Sequence, residues 1–150
     1  MTRRAIGGLA VAVVLGASCS GDPPAPEPTG DVSARPRCEA LPGRAPEGFV
    51  LVETRDVPAP SHIGTRRSYR DPEGARLEIL LGAVGQVGEG LRLVEERVLP
   101  SGASGRLLGE GRRWALAWEE DPPCLRNAII AEGMGRSAFL EVLEGMGLVA

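Results

Sequence analysis

The chain contains no lysine, and only five of its 150 residues are aromatic. A phosphate-binding P-loop needs a lysine after its glycines. Sugar-binding surfaces and nucleic-acid stacking platforms are rich in aromatic side chains, so both classes are disfavoured. We interpret the all-arginine basic residues as the coding bias of a GC-rich genome. A flexible inter-strand connection is the favoured interpretation of the glycine cluster, Gly82, Gly85, Gly88 and Gly90.

The chain also lacks an excess of positive charge. Its 20 acidic residues outnumber its 17 arginines, which gives a net charge of −3. Nucleic-acid binding requires a positive stripe, and anionic lipid headgroups attract clusters of basic residues. The sequence therefore predicts no nucleic-acid partner and no basic patch for lipid.

Histidine is nearly absent, since His62 is the only one. A multi-histidine zinc site is thereby excluded, and no acidic run has the spacing of a calcium loop. His62 follows Ser61, but no G-x-S-x-G motif is present, because Arg106 stands where the second glycine would follow Ser104. We predict that His62 is an exposed loop residue and that the protein binds no metal or cofactor. A hydrolase using His62 is the third functional alternative.

Two acidic runs, Glu95-Glu96 and residues 119–121, raise the possibility of the paired carboxylates of a glycosidase. Successive residues of a strand point to opposite faces, so neither run converges by itself. We interpret both as solvated charge, and Arg112-Arg113 as protection of a strand edge. The protein is therefore predicted to be non-enzymatic.

The N-terminus carries the most informative motif. Arg3 and Arg4 precede an apolar run at 5–16, and small residues then lead to Cys19. This order is that of a secretory signal peptide, and the run is too short for a bilayer core, which needs ~20 residues. The segment resembles the lipobox of bacterial lipoproteins, with Gly16 where that motif usually has leucine. The resemblance implies that Cys19 is lipidated and anchors the protein to the outer face of the cell membrane.

Two alternatives compete with the lipobox interpretation and are less favoured. Paired arginines also occur in twin-arginine export signals, but Ala5-Ile6-Gly7 lacks the bulky apolar pair expected after them, so we interpret Arg3 and Arg4 as a charged n-region only. An ordinary cleaved signal peptide would leave Cys19 as a stray thiol, and the number of cysteines argues against it. Lipidation of Cys19 leaves Cys38 and Cys124 as an even pair, which suits an oxidising compartment. A disulfide between them would close most of the domain into one loop, which the chain-entropy model values at roughly 4–5 kcal/mol.

Proline concentrates between Cys19 and the domain, with five prolines in residues 20–37. Such a segment cannot bury enough apolar surface to fold, and its prolines favour extended polyproline II. At ~3.1 Å per residue it would span roughly 50 Å. We divide the chain into a lipoprotein signal peptide at 1–18, a lipidated cysteine with a disordered proline-rich linker at 19–37, and one globular domain at 38–150.

Beyond residue 48 the apolar pattern has period two, which is typical of half-buried strands. Asp71-Pro72-Glu73-Gly74 fits a type I turn between two of them. One helix is predicted from Arg136 to about Glu144, with Gly135 as its N-cap. The expected fold is α+β, an antiparallel sheet of about five to seven strands with one C-terminal helix packed on one face. The predicted strands cover residues 49–53, 65–70, 75–81, 91–99, 105–108, 112–119 and 124–132.

So short a helix must dock on the sheet to be stable. Its apolar stripe is Phe139, Val142, Leu143 and Met146, and the expected dock is the face that carries Trp114, Leu116 and Trp118. This last third, with its tryptophan-bearing strand, Cys124 and the segment 133–143, is similar to the ends of small extracytoplasmic lipoproteins and of anti-sigma-factor-associated domains. That resemblance implies a small β-rich domain with one helix, and it carries no catalytic residues.

Together these observations predict a membrane-anchored, extracytoplasmic lipoprotein of the cell envelope. Its domain is expected to be a non-enzymatic module that binds another envelope component, a protein. The alternative is a carrier that holds an apolar or lipid ligand between sheet and helix. The residues that would line its cavity are Leu77, Ile79, Leu116, Ile129 and Phe139.

Overall fold

The computed structural model describes residues 34–40, 43–82 and 87–150. Within these ranges the period-two runs form seven strands and the C-terminal stripe forms a helix, so the predicted α+β fold is confirmed. The elements are β1 (Val50–Pro58), β2 (Ile63–Arg70), β3 (Arg76–Leu81), β4 (Arg92–Val98), β5 (Ser104–Glu110), β6 (Arg113–Glu119), β7 (Arg126–Glu132) and α1 (Arg136–Gly145).

The strands form one antiparallel sheet in the order β1-β2-β3-β7-β6-β5-β4. Two meanders, β1–β3 and β4–β7, are joined by the pairing of β3 with β7. The predicted turn between β2 and β3 is present, because the Gly74 N–H donates to the Asp71 carbonyl at 3.2 Å. The carboxylate of Asp71 also accepts from the Ala75 N–H at 2.7 Å. Short connections of this kind keep consecutive strands adjacent.

The prediction of a short edge strand at 105–108 is wrong. β5 has seven residues and lies between β4 and β6. Glycine weakens a strand, which is why the sequence pattern breaks here. β5 contains two glycines, Gly105 and Gly109. Packing requires Gly109, since a Cβ on it would fall 2.1 Å from the indole of Trp114. The bare backbone of Gly109 therefore lets the Trp114 ring lie across β5.

The edge role predicted for Arg112-Arg113 is also wrong, because β6 is an interior strand. Arg113 lies opposite Glu132 of β7, with 3.5 Å between their charged groups. The Arg112 guanidinium donates to the Gly133 carbonyl. Both arginines thus connect β6 to the segment around β7 instead of shielding an edge.

The helix begins and ends as the sequence predicts. Gly135 is the N-cap, and Met134 and Phe139 on either side of it are both buried in the core. At the other end the Gly147 N–H donates to Glu144 O at 2.8 Å, and the Leu148 N–H donates to Leu143 O at 2.9 Å. These two bonds, with Gly147 at φ +76°, form a Schellman motif.

The helix packs on the sheet face that carries Trp114, Leu116 and Trp118, as predicted. These residues belong to the same buried cluster as Phe139 and Leu143. Leu148 and Val149, which follow the helix, are buried there as well. The core is therefore a single layer between one face of the sheet and the C-terminal segment.

Candidate functional site

The sheet has two unlike faces. α1 packs on one, and we call the opposite one the open face. Four small or aliphatic side chains lie at its centre, where Ala117 stands opposite Ala128 and Ala115 opposite Ile130. Charged residues surround this apolar centre, namely Arg66, Glu78, Arg106, Arg113, Glu119, Arg126 and Glu132. Ala115 and Ala128 have no exposed surface and Ala117 only 5%, so the charged side chains around them form the surface that another molecule would contact.

A cleft of about 730 Å³ opens on the open face over β4–β7. The nearly buried Ala117 lies at its floor. The polar side chains that line it come from all four strands, and Val87 of the β3–β4 connection contributes an apolar wall. The polar residues that line it are Glu96, Ser104, Arg106, Glu119, Arg126 and Asn127.

The topology of the sheet explains why the cleft has a wall. β3 and β4 run parallel, because an even number of antiparallel pairings separates them. Parallel strands cannot be joined by a tight hairpin, so their connection must cross the sheet. Gly88 of this connection lies against the open face of β5, where a Cβ on it would fall 2.8 Å from a methyl carbon of Leu108. The crossing places Val87 beside the charged strands.

The cleft carries charges of both signs in cross-strand pairs. Glu96 of β4 stands opposite Arg106 of β5. Glu119 of β6 stands opposite Arg126 of β7, with 4.0 Å between their charged groups. Exposed pairs of this kind contribute little to stability. They are therefore available to exchange partners with the charged groups of a bound molecule.

The predicted disulfide is present between Cys38 and Cys124, with 5.7 Å between their Cα atoms. It ties the start of the domain to the segment just before β7. Cys38 is held there by backbone bonds as well, since its N–H donates to Ile63 O at 2.8 Å and the Ile63 N–H donates to Pro36 O at 2.8 Å. The chain is therefore hydrogen-bonded to β2 from Pro36 onward, before the first strand begins.

His62 lies in the β1–β2 loop as predicted, but it is half-buried rather than exposed. Its Nε2 is 3.0 Å from the Gly82 carbonyl, and its Nδ1 is 3.0 Å from the Ser61 hydroxyl. The physical reason is the close approach of Gly82, where a Cβ would fall 2.9 Å from the His62 ring and 2.7 Å from Cys38 Sγ. The orienting partner of the imidazole is a carbonyl, where the Ser-His-Asp arrangement has a carboxylate. The hydrolase alternative stays a prediction.

Glu95 is part of an ion-pair network that the sequence pattern does not reveal. Its carboxylate accepts from Arg97 at 2.8 Å and from Arg136 at 2.9 Å. The hydrogen bond from Arg97 holds the pKa of Glu95 below its ordinary value. Arg136 lies in the first turn of α1, where a positive charge opposes the helix dipole. Glu95 offsets that charge and links β4 to the helix.

The five residues of the predicted ligand cavity do come together. Each is fully buried within the core between sheet and helix. Their burial is what a filled hydrophobic core requires, and the carrier alternative stays a prediction. The cleft described above lies on the other side of the sheet.

Cys19 and the signal peptide lie outside the described residues, as does most of the predicted linker. Among the residues that are described, no group of histidine, cysteine and acidic side chains has the arrangement of a metal site. No helix in those ranges is long and apolar enough to cross a membrane. No protein-family model, curated protein or solved structure matches the chain.

Proposed function

We propose that this protein is a lipid-anchored, extracytoplasmic binding protein that presents the open face of its sheet to an envelope protein. The Cys38–Cys124 disulfide is the observation that supports export. Cytosolic proteins rarely keep structural disulfides, whereas exported ones form them readily. With this pair bonded, Cys19 is the one remaining cysteine of the chain, directly after the segment that resembles a lipoprotein signal.

The position of the disulfide also indicates which end of the domain the linker would join. The proposed linker ends where Cys38 is bonded to Cys124, and Arg126 of the cleft follows two residues later. The tether would therefore enter the domain at the end that carries the cleft. An extended linker of the predicted length would hold this end roughly 50 Å from the bilayer.

The charges of the cleft favour a protein partner. Its cross-strand pairs offer two carboxylates and two guanidinium groups beside Ala117. Protein surfaces carry both signs in mixed arrangement, and charge complementarity of this kind gives a contact its register. A domain with so few aromatic residues has little else on this face with which to recognise a partner.

Replacing the anchor cysteine tests the location. Cys19→Ala should move the protein from the membrane fraction to the soluble fraction of its host, because the lipid attachment site is gone. Fractionation and immunoblotting of wild type and variant measure this. Retention of Cys19→Ala in the membrane fraction would contradict the proposed anchor, and Thr29→Ala in the linker serves as the control that should stay bound.

Cross-linking from the cleft tests the binding role. A photo-reactive amino acid at Ser104, which lines the cleft, should give a discrete adduct with one envelope protein in intact cells. The same group at the exposed loop residue Ser101 is the matched control and should give none. Arg106→Glu combined with Arg126→Glu should abolish the Ser104 adduct by reversing the cleft charges. An adduct that survives the double change would speak against the cleft.

A further inference from the structure

β1 is an edge strand that exposes apolar side chains. It pairs with β2 on one side and stands at the end of the sheet among the described strands. Val50, Leu51 and Val52 are 69%, 50% and 63% exposed. An edge strand presents unpaired backbone groups, and exposed aliphatic residues on it make it a template for another strand.

Four residues of β1 form a row on the open face. Glu53, Arg55 and Val57 stand opposite Ser68, Arg66 and Gly64 of β2. A bulge between Leu51 and Glu53 keeps Val50 on the same face, opposite Arg70. Along the strand the row is therefore apolar, acidic, basic and apolar. Reversed, it is apolar, basic, acidic and apolar, so the row is complementary to itself when the strands run antiparallel.

We propose that two copies of this chain pair through β1 in antiparallel fashion, with the two-fold axis at Thr54. In this register Glu53 lies opposite Arg55 of the second copy. With the bulge residue Val52 left out of the count, Val50 lies opposite Val57 of the second copy. Opposite-charge and aliphatic pairs directly across two strands stabilise a sheet. A two-fold contact repeats each pair, and it closes at two copies. The result is one continuous fourteen-stranded sheet, twice the seven strands of one copy.

The charges of β1 within one copy point to a carboxylate partner. Arg55 stands opposite Arg66 of β2, and like charges in this position destabilise a sheet. Arg66 is bonded to Glu78, and among residues 34–40, 43–82 and 87–150 the one ion pair of Arg55 is with the exposed Glu53, at 2.6 Å. In the dimer each Arg55 lies beside the Glu53 carboxylates of both copies, so the two pairs form one alternating cluster of opposite charges across the axis.

The opposite edge of the sheet is less suited to the same pairing. Glu95 of β4 is bonded by Arg97 and by Arg136 of the helix. Among the described residues the Glu95 carboxylate is therefore paired with two arginines, whereas that of Glu53 is paired with one. β4 also exposes Leu93 and Val98, but its open-face row is Leu93, Glu96 and Val98, which has no basic residue and is not self-complementary in charge. The proposal does not depend on the anchor or on the cleft.

Cysteine cross-linking tests the register. Antiparallel partners have Cα atoms about 4.5–5.5 Å apart, which is within the range of a disulfide. Thr54→Cys in the full-length Cys19→Ser chain should form a disulfide-linked dimer under mild oxidation. Val94→Cys in the same background places a thiol on β4, the other edge, and is the matched control that should stay monomeric. Equal dimer yields at the two positions, or none at residue 54, would overturn the proposal.

A charge swap distinguishes this dimer from other partners. Glu53→Arg and Arg55→Glu each create two like-charge pairs across the two-fold axis, so each should weaken dimerisation about tenfold. The double variant Glu53→Arg/Arg55→Glu should restore it, which sedimentation of the full-length Cys19→Ser chain measures. A monomer at every protein concentration, or a residue-54 adduct with another protein in its place, would show that a second copy does not cover β1.

Discussion

Phe139→Ala is expected to lower the free energy of unfolding by about 3–5 kcal/mol, the usual range for truncating a buried phenylalanine. Phe139 is fully buried and is the largest of the completely buried side chains in the part of the chain that the structure describes. It also fixes α1 to the sheet, together with Leu143 and Met146 of the same stripe. A ten-residue helix does not persist without such docking. Urea unfolding followed by tryptophan fluorescence gives the free energy directly.

The matched control for Phe139 is Glu141→Ala on the exposed side of the same helix. It removes a side chain of α1 without opening the core, and surface changes of this kind are usually within about 0.5 kcal/mol. The two variants therefore separate docking from intrinsic helix propensity. A Phe139→Ala loss below about 1 kcal/mol would mean that α1 does not depend on this contact.

Cys38→Ser combined with Cys124→Ser is expected to cost about 2–5 kcal/mol of unfolding free energy. The bond joins residues 86 positions apart, so it restricts nearly the whole domain in the unfolded state. It also holds the segment at Pro36 and Cys38 against Ile63 of β2. We expect this segment to become the first site of proteolysis once the bond is gone. Unfolding curves and limited proteolysis of the variant measure both effects.

Reduction of the wild-type protein is the control for the double serine variant. Both treatments remove the same cross-link, so their unfolding midpoints should agree. The serine variant keeps its midpoint when reductant is added, because it has no disulfide left to lose. A reduced wild type as stable as the oxidised one would contradict the structural role of the bond.

The elements of the fold follow from local chemistry. Asp71 and Gly74 mark the β2–β3 turn, Gly135 and Gly147 mark the two ends of α1, and the period-two runs locate the strands. Each of these signals involves only a few neighbouring residues, so it can be recognised in the sequence. The cysteine pair can be recognised as well, because only two cysteines remain once Cys19 is assigned to the lipid anchor.

The features that sequence reasoning missed depend on residues far apart in the chain. Gly109 weakens the strand pattern, and its reason for being there is the Trp114 ring of the next strand. The sequence pattern predicts that Glu95 is a solvated charge, yet the fold brings its carboxylate to the guanidinium of Arg136, 41 residues away in the chain. The sequence pattern makes His62 an exposed loop residue, yet the fold brings its Nε2 to 3.0 Å from the carbonyl of Gly82, 20 residues away. No local signal encodes any of these contacts.

The sequence by itself determined the class of fold and the ends of the helix, because strand propensity and helix capping are properties of short segments. It also determined the cysteine pair, because the number of cysteines left only one pairing once Cys19 was assigned to the anchor. Only the tertiary structure decided the strand order, since the pairing of β3 with β7 joins strands that lie far apart in the chain. That order places Val87 over the open face, forms the cleft from β4–β7 and leaves β1 at an edge. Both proposed contact surfaces therefore arise from long-range packing.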